Sequence, residues 1–339
     1  MRARTYIYML ALVALALQGC REGEHPSNPN EELYAISMAA PTVVGTRALY
    51  TDDNPMAEFA VYGYKEGNAS QMVFTGDKVS KGGDGWTYSP TRYWDRVAHY
   101  YFAAYAPATA PTGFTYAHNE ATRTLTLTAP QWQTIDGSEA DLLVATSQGP
   151  ATTYLRNDGE VELTFDHLYA QLEVQVWVAD FIESTYRIRS VSLGDVPRDK
   201  ESNGNKVTTP YVLAYEATPA VPTVTATMAT ADVLLYSDAT GRQADRKTPT
   251  ATATAATYKY LVVPFACSDQ TDGFDITLGY TIAGKAQKPL TVSSTIKEME
   301  AGKRYVLTLT FSSGNNITPD VSIAEWIPED VEEDDKYNW

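Results

Sequence analysis

Apolar residues fall at every second position along much of this chain. Thr124-Leu125-Thr126-Leu127-Thr128, Val161-Glu162-Leu163-Thr164-Phe165 and Leu172-Glu173-Val174-Gln175-Val176 all alternate. So do Arg187-Ile188-Arg189-Ser190-Val191-Ser192-Leu193, Phe274-Asp275-Ile276-Thr277-Leu278 and Tyr305-Val306-Leu307-Thr308-Leu309-Thr310-Phe311, and Val321-Ser322-Ile323 is a shorter case. A period of two, bounded by Gly, Pro, Asn and Asp, predicts half-buried strands of antiparallel sheets. Leu33-Tyr34-Ala35-Ile36-Ser37-Met38 predicts a first strand, with Tyr34, Ile36 and Met38 on the more apolar face. No long segment carries a helical period. Ile296 to Ala301 predicts one helical turn, closed by Gly302. The chain is therefore expected to be all-β, a sandwich or barrel. A division at Asn157-Asp158-Gly159 splits the strands into two comparable sets, and residues 216–258, with repeated Ala, Thr and Pro, predict long connections between strands.

The N-terminus follows a different pattern. Arg2 and Arg4 precede an uncharged, mostly apolar run from Ile7 to Leu17, which closes in Leu17-Gln18-Gly19-Cys20. A positive start, a short apolar stretch and a small residue before the cut make a secretory signal. The run is shorter than the roughly 20 residues that span a bilayer. Cysteine directly after the small residue is the lipoprotein variant, so Cys20 is the expected lipidation site and the new N-terminus. Acyl chains, of which a durable anchor needs at least two, would tether the chain to the outer membrane. Residues 21–32, rich in Pro, Asn and Glu, read as a tether. Cys267 is then the one remaining cysteine, so the expected fold has no internal disulfide.

Composition narrows the functional classes. About 320 mature residues suggest two domains. The 23 tyrosines and many threonines favour strands. A net charge of -16 argues against nucleic acid as a partner. Part of it is local, since Glu329, Asp330, Glu332, Glu333, Asp334 and Asp335 form an acidic tail. No nucleophile elbow, zinc-protease helix, P-loop or calcium loop is present in the sequence. Asp52-Asp53-Asn54-Pro55 is a turn signature before it is a cation site. Asp166 and His167 suggest half of a triad, but a turn aspartate and a structural histidine explain them better. Neither catalytic residues nor metal ligands nor a cofactor are expected. Aromatics are denser around Trp86, Tyr88, Tyr93 and Trp94 and in His99-Tyr100-Tyr101-Phe102-Ala103-Ala104-Tyr105. They suit either a glycan-stacking platform or a core, and the core is the expectation.

Several segments, in order, resemble the fimbrillin family, the lipoprotein precursors of pilus subunits in Bacteroides-type bacteria. They are Glu58-Phe59-Ala60-Val61-Tyr62-Gly63-Tyr64, Trp86 through Trp94, His99 through Pro107, Asp141-Leu142-Leu143-Val144-Ala145 and Val161 through His167. Tyr260-Leu261-Val262-Val263-Pro264, Ala301-Gly302-Lys303-Arg304-Tyr305 and Val321-Ser322-Ile323-Ala324-Glu325-Trp326 complete the set. The resemblance implies two tandem transthyretin-like antiparallel β-sandwich domains. The expected plan is a signal peptide at 1–20, tether and leader strand at 21–47, sandwiches at 48–157 and 158–328, and the acidic tail at 329–339. It also implies assembly by strand exchange: an arginine-specific protease removes the leader, and a neighbouring subunit's strand enters the vacated groove. Arg47, followed by Ala48, matches the family's cleavage position, and Val321, Ile323 and Trp326 are the donor-strand candidates. The acidic tail would have to stay outside the acceptor groove, which makes a tip or accessory subunit a rival to a stalk subunit.

Two classes of function follow. A fimbrial subunit would begin as an outer-membrane lipid-anchored precursor and end in the cell-surface fimbrium, with other subunits as partners. A monomeric surface lipoprotein would instead bind glycans through exposed aromatics. An enzyme is a distant third.

Overall fold

A computed structural model describes residues 34–43, 56–83, 85–130, 132–137, 139–194, 208–216, 223–224, 233–247, 254–266, 273–312 and 316–325. The chain is all-β. Strand Glu58–Glu66 pairs antiparallel with Gln71–Gly82 on one side and His99–Ala106 on the other. His99–Ala106 pairs in turn with Leu143–Pro150, which pairs with Thr164–His167. These strands form the middle of a nine-stranded path. Its two ends are consecutive pieces of the same two segments: Ser37–Met38 beside Glu160–Val161 at one end, Thr42–Val43 beside Thr164–His167 at the other. The sheet therefore curls and closes on itself.

Alternate residues of the central strands face opposite ways, and both faces are buried. Phe59 and Val61 pack with Phe74, Val79, Phe102, Ala104, Leu143 and Ala145 inside the curl. Ala60, Ala103, Tyr105, Leu142 and Val144 pack outside it, under Leu125, Leu127, Tyr211 and Leu213. A sheet covered on both faces needs apolar residues without alternation, which is why His99–Ala106 is nearly continuous in aromatics and alanine. Gly63 marks a close approach inside the curl: a Cβ there would lie 2.8 Å from Phe74 and 3.0 Å from Phe102.

The second half builds its own core. Ile317–Glu325, Lys303–Phe311, Ala170–Val178, Ala256–Val262 and Trp132–Thr134 form one sheet in that order. It packs on a second sheet containing Val233–Ala244, Tyr186–Leu193 and Asp275–Ile282, with Leu172, Val174, Ile188, Val191, Ile276, Leu278, Leu307 and Phe311 between them. Leu261, Val263, Leu168 and Tyr169 join the outer cluster of the first half, so the two cores meet there. Strands cross the Asn157 position freely. Val161, Leu163 and Phe165 lie in the first core, Trp132 in the second, and Thr208–Ala214 pairs back onto Thr124–Pro130.

Two local expectations need correction. Residues 296–301 are not a helical turn: Glu298–Met299 is a strand paired with Phe265–Ala266, and Gly302 turns the chain with φ +69°. Ile296 and Met299, whose spacing imitates a helix, both reach the core from an extended segment. Residues 216–258 are not only connections, since Val233–Ala244 is a twelve-residue strand against Tyr186–Leu193. It lies at the sheet edge and most of its side chains are exposed or half-buried, which leaves no apolar alternation to read. A five-residue helix at Ala151–Leu155 buries Ala151 and Tyr154.

Phe102 contacts the rings of Phe74, Trp94, Tyr100 and Tyr154 with no exposure. Phe102→Ala is expected to destabilise the protein by about 3–5 kcal/mol, measured by denaturant unfolding; a loss below about 1 kcal/mol would remove this ring from the core's foundation.

Candidate functional site: the leader groove

Residues 34–43 lie as a separate segment in a slot between two main-chain edges. On the first edge, Ile36 N–H donates to Arg92 C=O at 2.9 Å and Trp94 N–H to Tyr34 C=O at 2.9 Å. Ala35 bridges antiparallel to Tyr93, and Met38 pairs with Trp86. On the second edge the segment runs parallel to residues 160–165. Ser37, Ala39 and Thr42 N–H groups donate to the carbonyls of Gly159, Val161 and Leu163, each at 3.1 Å. Ser37 sits opposite Glu160 but Thr42 opposite Thr164, so the segment gains one residue on its partner.

Side chains hold what the backbone aligns. Ile36 is 2% exposed and Met38 4%, both within the first core among Trp94, Val161 and Phe165, with Val43 partly buried against it. Complete burial of such side chains stabilises by about 1.5–3 kcal/mol each. Tyr34 stays exposed, so two of the three residues of the expected apolar face are sunk.

Two residues gauge the position of this strand. The Gly159 carbonyl accepts from Ser37 N–H, from Ser37 Oγ at 3.2 Å and from Trp94 Nε1 at 3.1 Å. Gly159 has φ +74°, and a Cβ there would lie 3.0 Å from the Ala35 carbonyl oxygen and 3.2 Å from Trp94 Nε1. Only glycine gives both the conformation and the clearance. Across the slot, Tyr88 OH donates to Ile36 C=O at 2.6 Å and accepts from Arg92 N–H at 3.3 Å. Burial raises the Tyr88 phenol above its usual range and keeps it a neutral donor. Arg92 fixes this corner: Nε donates to Val73 C=O at 2.9 Å, Nη2 meets Asp77 Oδ1 at 2.8 Å, and the guanidinium lies over Phe74 at 5.3 Å. The Asn157-Asp158-Gly159 turn was visible in the sequence, but its carbonyl as a receptor was not. Tyr88 stood out in the sequence as one of a cluster of aromatics, but not as a donor to the leader.

The other sequence candidates fall in several places. Cys20, Arg47, Ala48 and Trp326 lie outside the described residues, as do Asp52, Asp53 and Cys267. Val321 and Ile323 belong to Ile317–Glu325, opposite Leu307 and Tyr305 in the chain's own sheet. His167 pairs with Asp141 through Nδ1 and Oδ2 at 2.6 Å, with both side chains buried. This links the Asp141-Leu142-Leu143 and Phe165-Asp166-His167 segments as structure. Trp94, Phe102 and Tyr105 are buried, Trp86 and Tyr88 half-buried.

Gly159→Ala is expected to push the leader off its carbonyl receptor. Amide hydrogen exchange at Ser37 and Ala39 should accelerate while that of Val61 and Phe102 changes little. Unchanged protection at Ser37 would mean that the turn does not gauge the leader.

A family model described as fimbrillin-like matches residues 46–326. No curated protein matches the chain. Among solved structures, a proposed cell adhesion protein of Bacteroides uniformis superposes with a TM-score of 0.52 at 16% identity, covering 88% of this chain and 100% of that one. A fimbrial protein of Bacteroides vulgatus gives 0.50 at 15%, covering 87% and 100%. A proposed cell adhesion protein of Bacteroides ovatus gives 0.52 at 13%, covering 88% and 100%. At these identities the likeness is one of fold. The match to the family model extends over most of the chain, and on that ground the chain belongs to the fimbrillin-like family.

Proposed function

We propose that this chain is a structural or adhesive subunit of a surface fimbria. It is built as tandem sandwiches, made as a lipid-anchored precursor, and activated when cleavage after Arg47 frees the leader groove for a neighbour's strand. The observation that carries this reading is the leader itself. It is a short segment whose Ile36 and Met38 are in the core, yet it connects to the body only through residues 44–55, where Arg47 lies. A cut there would separate the strand from the sandwich it completes. Main-chain groups on both walls would then be offered to another strand, which is β-augmentation.

The proposed donor carries a matching pattern. Ile36-Ser37-Met38-Ala39 in the groove is repeated in kind by Val321-Ser322-Ile323-Ala324, with Trp326 as a further anchor. A serine between two apolar residues would reproduce both Ser37 bonds to Gly159. Donation by this segment requires it to leave its pairing with Lys303–Phe311, where it forms the outer strand of the sheet. Cleavage must come first, because a tethered leader competes at an effective concentration on the order of millimolar.

The lipid anchor and the cleavage have separate tests. Cys20→Ser should leave the precursor unprocessed at its signal peptide or soluble, read by membrane fractionation; normal partitioning would refute the anchor. Arg47→Ala should accumulate with its leader intact and be missing from purified fimbriae, read by N-terminal sequencing and immunoblot. Normal incorporation of this variant would falsify the exchange mechanism.

A further inference from the structure

The leader is one residue too long for the edge it pairs with, and the excess falls at a proline. Ser37 and Ala39 N–H groups take the Gly159 and Val161 carbonyls, so in a regular ladder residue 41 is next, on Leu163. That residue is Pro41, which has no N–H. The Leu163 carbonyl is met instead by Thr42, one residue late. Pairing is registered at Ser37–Met38 and again at Thr42–Val43, so Glu162 and Leu163 have no leader residue in register opposite them. The buried face changes as well. Ile36 and Met38 are sunk, Ala40 is exposed, and the next side chain against the core is Val43, which is partly buried. A bulge between parallel strands is rare, and its extra residue goes unpaired. The leader thus has a firm upstream part and a loosely held downstream part.

We propose that Pro41 is the residue that sets release of the leader once it has been cut. The inference rests on the strand-exchange reading and adds which residue lets the cut take effect. Arg47 lies four residues beyond Val43, on the loose side of the break. Before the cut, the tether keeps Thr42 and Val43 beside their partners at high effective concentration. After it, that end is held by two registered residues and one half-buried valine. It opens first and bares the Leu163 carbonyl while Ile36 and Met38 are still seated. A strand of a neighbouring fimbrillin-like subunit begins to pair there, whichever direction it runs, and the upstream part leaves last. Deleting Ala40 shows what the break takes away. Thr42 and Val43 would then stand in regular register opposite the same Thr164 and Phe165 that they pair with now, and a residue would face Leu163 between them and Met38. Such a leader would be held along its whole length and would keep the slot after the cut.

The test deletes Ala40 and adds Pro41→Val, which leaves the spacing from Val43 to Arg47 unchanged. In the uncut precursor, amide hydrogen exchange at Thr42 is expected to slow at least about tenfold, with Val61 and Phe102 unaffected. In cells that assemble fimbriae, N-terminal sequencing should show the cut after Arg47. The cut subunit should nevertheless retain its leader through native purification, and its incorporation should fall at least about tenfold. Pro41→Ala restores the N–H at full length; it should move each readout the same way by less, and it carries the test if the shortened leader fails to fold. Unchanged exchange at Thr42 in both variants would overturn the proposal, since the break would not be what loosens this end. A variant that is excluded but uncut would count against it too, because the defect would precede release. Normal incorporation of a variant with a protected Thr42 would also overturn it, and Arg47→Ala then separates the two readings. Exclusion of Arg47→Ala would remove the role of Pro41 alone, whereas its incorporation would remove strand exchange itself.

Discussion

The first core is completed by a short leader strand seated between two main-chain edges. Residues 160–165 and 86–94 each present main-chain groups towards the same slot, and the leader pairs with both. Buried backbone groups must find partners, and an unpaired sheet edge recruits another strand. Closure of the curled sheet therefore requires some strand in that place. Gly159 and Tyr88 favour one position in it, since each binds a backbone or side-chain group of a particular residue. The leader satisfies the requirement from within the chain.

The rest of the molecule is arranged so that this slot has rigid walls. The central sheet is packed on both faces, which leaves its strands little room to shift. The outer cluster reaches from Ala103 and Val144 to Leu261 and Val263 and so couples the first core to the second. In the second, Glu173 is buried and meets Arg304 at 2.6 Å and Lys259 at 3.9 Å across neighbouring strands. A buried carboxylate with two cations does little for net stability, yet it penalises any shift in register that would strand its charge. Strand Lys303–Phe311, which carries Arg304, is also the partner of Ile317–Glu325. The edge of the sheet that carries Ile317–Glu325 thus has a firm base in Lys303–Phe311.

Legibility followed burial. Strands with one buried face, such as Thr124–Pro130 and Lys303–Phe311, showed clean alternation and were plain in the sequence. The leader was plain for the same reason, because Ile36 and Met38 are sunk while Ala35 and Ser37 are not. His99–Ala106 lacks alternation because two cores claim it, so its aromatics suited a platform as well as a core. Val233–Ala244 escaped notice because an exposed edge strand needs no apolar period. The groove's working parts were the least visible. A carbonyl of Gly159 and a hydroxyl of Tyr88 act through position, and position comes from chain segments more than 50 residues away.

The energetics show how much the covalent tether does for the leader. Two buried side chains supply about 3–6 kcal/mol in total, and the hydrogen bonds of the slot add about 1 kcal/mol each after exchange with water. A free peptide must also overcome an association cost estimated at 4–15 kcal/mol. A leader of this size is thus secure while tethered and weakly held once released. A donor that brings the same two anchors gains nothing over it in the slot alone. Any such strand that displaced the leader would need contacts outside the slot. The two anchors alone thus discriminate little between strands of this size, and a tether, through the effective concentration it confers, decides which strand fills the slot.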